Sequence, residues 1–231
     1  MSKLIENREK VVPGEALFDG DNFTAGRGTF REKGKIHSMY TGSVEFRERD
    51  QEVRVIPEKG KYVPQPGDSV IGEISRVSHS NWTVDINSPY DAIMPIGEAV
   101  EEYVDLTQDD IADWFDLGDL IVAKVQKVTK DKDVQLTMQD RMAKKLEGGR
   151  VINIPPSRVP RLIGRKGTMV NTIKGKTDCT IIIGQNGRVW INGDNQKLAV
   201  AACEKVVEEA DRSGLTEHIE DWLEEKKGGE R

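Results

Sequence analysis

The chain is poor in the features that usually announce a function. It has two cysteines in 231 residues, Cys179 and Cys203, too far apart in sequence for metal-ligand spacing. That argues against a disulfide scaffold or a zinc site and for a reducing compartment, the cytoplasm. Three scattered histidines, His37, His79 and His218, offer no shared metal site. Aromatic residues are 6%. No apolar run approaches the ~18 residues of a membrane span, and the opening MSKLIENREK lacks the apolar stretch of a signal peptide. Basic charge is not in excess either: 34 lysines and arginines face 40 aspartates and glutamates, a formal charge of −6. Taken whole, that sign discourages a nucleic-acid reading.

The total averages unlike pieces. Residues 98–119 carry nine acidic groups and no basic one, whereas residues 144–176 carry nine basic groups and one acidic, a net +8. The C-terminal residues 203–231 sum to −5. A basic island of that density raises the local anion concentration whatever the overall charge. The acidic run reads as a solvated face or partner contact rather than a metal site. No carboxylate cluster or His-Ser or His-Cys pairing suggests a catalytic centre.

The pattern divides the chain. In residues 1–62, turn signals recur at Pro13-Gly14, Asp19-Gly20, Gly26-Arg27-Gly28, Lys33-Gly34 and Thr41-Gly42, between runs such as Val53-Arg54-Val55-Ile56. This predicts a small all-β module. In residues 63–143, strands are expected at 70–77, 82–86, 92–96, 120–128 and 134–138, with the acidic insertion between the third and fourth, as in an OB-like barrel. Trp82, Val84 and Ile86 alternate with Thr83 and Asp85, so Trp82 is expected in the core. Residues 144–212 read β-α-α-β-β-α, with a turn at Gly184-Gln185-Asn186-Gly187. Residues 213–231 read as an acidic, mobile C-terminal tail with a short helix around Ile219, Trp222 and Leu223.

The strongest local signal is Ile163-Gly164-Arg165-Lys166-Gly167 between two short helices. Two glycines let the backbone approach a sugar-phosphate chain, and the following helix offers unpaired N–H donors to an anion. Arg165 and Lys166 add charge, Arg158 and Arg161 extend the strip, and Ile163, Val170 and Ile183 are candidates to line a groove for bases. This segment resembles a type I KH domain, whose G-x-x-G loop clamps about four nucleotides of single-stranded nucleic acid.

The preceding unit resembles an S1-type RNA-binding domain, through Pro66-Gly67-Asp68-Ser69-Val70-Ile71-Gly72, Trp82-Thr83-Val84-Asp85-Ile86, residues 117–125 and Val134-Gln135-Leu136-Thr137-Met138. The resemblance implies exposed aromatic positions in the second and third strands. Here they align with Thr83 and Pro95, so a stacking term of roughly 1–3 kcal/mol per base is missing. Binding would then rest on Arg76, His79, Lys124, Lys127 and Lys130.

Val12-Pro13-Gly14-Glu15, Gly26-Arg27-Gly28-Thr29-Phe30, Thr41-Gly42-Ser43-Val44 and Val55-Ile56-Pro57, followed by S1-like and KH-like units, resemble the archaeal exosome cap subunits with N-terminal, S1 and KH domains. The resemblance implies a non-catalytic subunit without cofactors. Its partners would be single-stranded RNA, a hexameric ring of two RNase-PH-like proteins, and other copies of itself or a zinc-ribbon cap protein. The ring degrades RNA from the 3′ end by phosphorolysis and can add tails in reverse; the N-terminal module docks on it. Two rival readings stay open: another S1/KH adaptor such as a transcription elongation factor, or a ribonuclease in its own right.

Overall fold

The computed structural model describes residues 2–57, 60–100, 104–106 and 109–229. The chain forms two compact units, Met1–Gly60 and Lys61–Arg231. The first contains eight short strands: β1 (Ser2–Lys3), β2 (Lys10–Val11), β3 (Ala16–Asp19), β4 (Thr24–Ala25), β5 (Thr29–Glu32), β6 (Lys35–Ser38), β7 (Gly42–Arg47) and β8 (Glu52–Pro57). They make two four-stranded sheets, ordered β1-β3-β6-β5 and β2-β7-β8-β4. The β5–β6 turn is closed by Lys33 and Gly34, both at positive φ (48° and 79°), as a two-residue hairpin of the right twist requires. Alternation along β7 and β8 turns Val44, Phe46, Val53 and Val55 inward onto Leu17, Phe18, Phe23 and Ile36.

The second unit begins with a closed barrel of β9 (Ser69–Val77), β10 (Asn81–Asp85), β11 (Ala92–Pro95), β12 (Leu120–Val128) and β13 (Val134–Thr137). The order β13-β11-β10-β9-β12 is completed by a β12–β13 pairing, which removes the sheet edges. A four-residue helix, α1 (Ile96–Ala99), follows β11. Of the acidic insertion, residues 101–103 and 107–108 lie outside the described residues; beyond them a 3₁₀ turn at Ile111–Asp113 plugs Ile111 and Phe115 into the barrel core.

After β14 (Lys144–Leu146) come β15 (Arg150–Asn153), α2 (Val159–Ile163), α3 (Thr168–Thr177), β16 (Cys179–Ile183), β17 (Arg188–Gly193), α4 (Gln196–Glu208) and α5 (Leu215–Gly229). The antiparallel sheet β15-β17-β16 is covered by the helices. Two expectations are corrected. Residues 144–146 do not open the third segment: β14 pairs with β12 in the barrel sheet. The helix expected around Ile219, Trp222 and Leu223 is present, but it runs fifteen residues as α5, in place of a short helix followed by a mobile tail. It buries Leu215, Ile219 and Leu223 (2%, 0% and 0% exposed) in the same core as α3 and α4. Their spacing of four places them on one helical face.

Barrel and helical layer are sewn together by the β16–β17 turn. The Asn186 side chain, fully buried, donates to the carbonyls of Ile71 (2.7 Å) and Ile86 (2.9 Å) and accepts from the Ile71 amide (3.3 Å). Arg188 donates to the Asp85 carbonyl and carboxylate, both at 2.6 Å. Beside them Ile71, Val122, Leu146 and Trp190 form an apolar cluster. A Cβ at Gly184 would stand 2.8 Å from the Ile71 amide nitrogen, so only glycine lets the turn seat this closely.

Candidate nucleic-acid interface

The loop between α2 and α3 is built by backbone conformations that side chains disfavour. Gly164 ends α2 at φ 75° and ψ 175°, Lys166 sits at φ 53°, and Gly167 precedes α3 at φ 81°. Gly164 is demanded by the chain's own packing, since a Cβ there would lie 2.7 Å from the Met169 amide nitrogen. At Gly167 the nearest atom to such a Cβ is 3.5 Å away, so its requirement is conformational. Between the glycines Arg165 and Lys166 are exposed, and among the described residues their side chains make no hydrogen bond or ion pair. The first turn of α3 carries no acidic residue, leaving its N–H groups free of an internal anion. Ile163 and Ile183 are partly buried at the edge of the core; Val170 belongs to the core itself.

The rest of the expected basic strip is already engaged. Arg158 makes a two-pronged pair with Asp211 (2.9 and 3.2 Å), and Arg161 donates to the Arg212 carbonyl. Lys176 bridges to Glu220 (3.1 Å) and Glu224, which raises its pKa and lowers that of Glu224. Lys145 pairs with Asp119. Burial alone would raise the Asp119 pKa, but the Lys145 hydrogen bond, with the Asp116 amide, leaves it below the usual carboxylate range. Three of the nine cations of the +8 island, Lys145, Arg158 and Lys176, are thus matched by acidic groups from elsewhere in the chain. Among the described residues Arg165 and Lys166 at the loop, with Lys144, Arg150 and Lys174, make no ion pair.

On the barrel, the strand registers align Arg76 with Thr83, Thr83 with Ile93, Ile93 with Gln135, and Gln135 with Lys127. This outward row crosses all five strands, with an exposed cation at each end and Ile93, 45% exposed, in the middle. The residue beside Thr83 is therefore Ile93; Pro95 pairs with Asn81. Period-two alternation around the inward Ala92 and Met94 is the signal that would have found it. Two expected residues stand apart from the row. Lys124 is held by Asp140 at 2.9 Å, and its hydrogen bond draws the Asp140 carboxyl below its ordinary range. His79 borders a groove with Leu106, Asp109, Asp110 and Ile111, beside carboxylates. Lys130 lies exposed in the β12–β13 turn. Trp82 is fully buried, donates its indole N–H to the Phe115 carbonyl (2.8 Å) and meets the Phe115 ring edge-on, so it is core.

Among the described residues, no cluster of three or more His, Cys, Asp or Glu could hold a metal ion, and no helix is long and apolar enough to cross a membrane.

Comparison with known proteins places these units. Family models match residues 11–47 (Exosome complex exonuclease RRP4 N-terminal region), 61–127 (RRP4, S1 domain) and 149–197 (KH domain). The Exosome complex component Rrp4 of Thermococcus kodakarensis is 45% identical over 229 residues, covering 96% of this chain and 88% of that one. Those of Pyrococcus horikoshii and Methanobrevibacter smithii are 43% and 44% identical, over 84% and 72% of their lengths. A solved crystal structure assigned as an exosome complex RNA-binding protein superposes with a TM-score of 0.68 at 38% identity, covering 74% of this chain and all of that one. An N-terminal β-unit, an S1 barrel and a KH layer in this order, at this identity over nearly full length, make the chain a member of the archaeal exosome component Rrp4 family.

Proposed function

We propose that this chain is the non-catalytic RNA-binding cap subunit of a cytoplasmic exosome. It captures single-stranded RNA and guides the 3′ end into a hexameric ring of two RNase-PH-like subunits, for 3′→5′ degradation or reverse tailing. The observation that carries the reading is the loop: between two glycines, the exposed side chains of Arg165 and Lys166 have no ion pair among the described residues, whereas Arg158, Lys176, Arg188 and Lys205 of the same layer do. The Arg76–Lys127 row supports a second, weaker contact through charge and the apolar Ile93. Two weak sites on one body act by effective concentration. The N-terminal unit leaves the side chains of Val12, Phe30, Met39, Tyr40 and Ile56 exposed, apolar groups that docking on the ring would cover. Three such caps, alone or mixed with a zinc-ribbon cap protein, would surround the entry pore.

Reconstitution tests this. The purified chain with labelled single-stranded RNA, phosphate and magnesium should leave the RNA intact. It should co-purify with the RNase-PH-like hexamer and speed that ring's shortening of RNA. Shortening by the chain alone, or failure to associate with the ring, would overturn the proposal.

A further inference from the structure

The segment from Asp211 to Glu224 holds two cations, Arg158 and Lys176, at the outer ends of the two helices that meet at the loop. α5 is anchored by Leu215, Ile219 and Leu223, and its outer face is acidic: Glu217, Glu220, Asp221, Glu224 and Glu225. Glu220 and Glu224, one turn apart, both reach Lys176 at the end of α3. Asp211, just before α5, grips Arg158 at the start of α2. Lys227 ties the far end of α5 back to the Lys176 carbonyl (3.1 Å). The acidic partners are themselves well exposed, Asp211 at 75% and Glu224 at 61% of their side chains. Exposed pairs of this kind are screened by solvent and contribute little to folding stability. What they alter strongly is the potential seen by a polyanion. With the carboxylates in place, Arg158 and Lys176 offer phosphates little net charge, and the strand meets unpaired cations at Arg165 and Lys166.

We propose that Asp211, Glu220 and Glu224 are specificity-determining residues: an internal acidic competitor that keeps RNA phosphates off the flanks of the KH layer and confines the strand to the G-x-x-G loop. This deepens the RNA-binding reading of the loop and rests on it.

The test is a salt titration of a labelled oligoadenylate on the full chain, with Asp211→Asn, Glu220→Gln and Glu224→Gln combined. Releasing Arg158 and Lys176 should tighten binding. It should also steepen the logarithmic salt dependence by roughly 0.7 for each cation recruited, about 1.4 for both. Adding Arg158→Gln and Lys176→Gln should return affinity and slope to those of the parent chain. The control is Asp221→Asn with Glu225→Gln, neighbours on the same helix for which no ion pair occurs among the described residues. It should move binding much less. Because the hydrophobic anchor is untouched, the combined variant should stay folded by circular dichroism, and the single exposed Glu224→Gln provides a milder version. An equal gain in the control, or no gain in the combined variant while Arg165→Glu with Lys166→Glu still weakens binding, would overturn the competitor and leave the loop. No effect from either set would overturn both.

Discussion

Arg188 on β17 clamps Asp85 at the end of β10, donating at 2.6 Å to both its carbonyl and its carboxylate across 103 positions of sequence. Together with Asn186, this pair makes barrel and helical layer one compact unit. Asn186 is fully buried with the Ile71 and Ile86 carbonyls it holds, whereas the Asp85 carboxylate clamped by Arg188 is 48% exposed and reaches water on its other side.

Asn186→Ala should therefore destabilise the second unit by about 1–3 kcal/mol, because it strands the buried carbonyls of Ile71 and Ile86. Arg188→Met should cost less, because the half-exposed Asp85 carboxylate it uncouples can be taken up by water. Denaturant unfolding checks both. A stability within a few tenths of a kcal/mol of the parent would show that water replaces these bonds freely.

Trp82→Ala should lower stability by about 3–5 kcal/mol, through loss of a fully buried ring and of the N–H bond to Phe115. RNA affinity of the fraction that stays folded should be unchanged. Lost affinity at an unchanged melting temperature would assign the ring to the RNA surface.

The Lys176–Glu224 contact has a definite pH signature. Glu224 is depressed by the Lys176 hydrogen bond, so its contribution is complete above the ordinary glutamate pKa and fades as pH falls through the lowered folded value. Lys176 is raised by Glu224 and Glu220, so its contribution is complete below the ordinary lysine pKa and fades as pH rises through the raised value. The stability difference between the parent chain and Glu224→Gln should thus be greatest between those limits and shrink on acidification. Melting curves across pH read it; a difference that persists in strong acid would mean the contact is not ionic in origin.

Features carried by neighbours in sequence were legible, and features carried by distant partners were not. The alternation of Trp82, Val84 and Ile86 located a barrel strand and its inward face, and the two glycines around Arg165-Lys166 located the loop. The charge sum over 144–176 overstated the exposed cation density, because Asp211 lies 53 positions from Arg158 and Glu224 lies 48 from Lys176. The spacing of Ile219, Trp222 and Leu223 gave a short helix, but the dense charge around it hid that the helix runs on to residue 229 and belongs to the core. The turn at residues 184–187 was visible as a turn; its grip on Ile71, 115 positions away, was not.

The central claim is that the G-x-x-G loop supplies the phosphate contacts of a single-stranded RNA-binding subunit. The most direct measurement is the salt dependence of single-stranded RNA affinity for the parent chain and for Arg165→Glu with Lys166→Glu. Loss of two phosphate contacts should weaken binding and flatten the logarithmic slope by about 1.4, at roughly 0.7 per contact. Unchanged affinity and an unchanged slope in the folded variant would contradict the account.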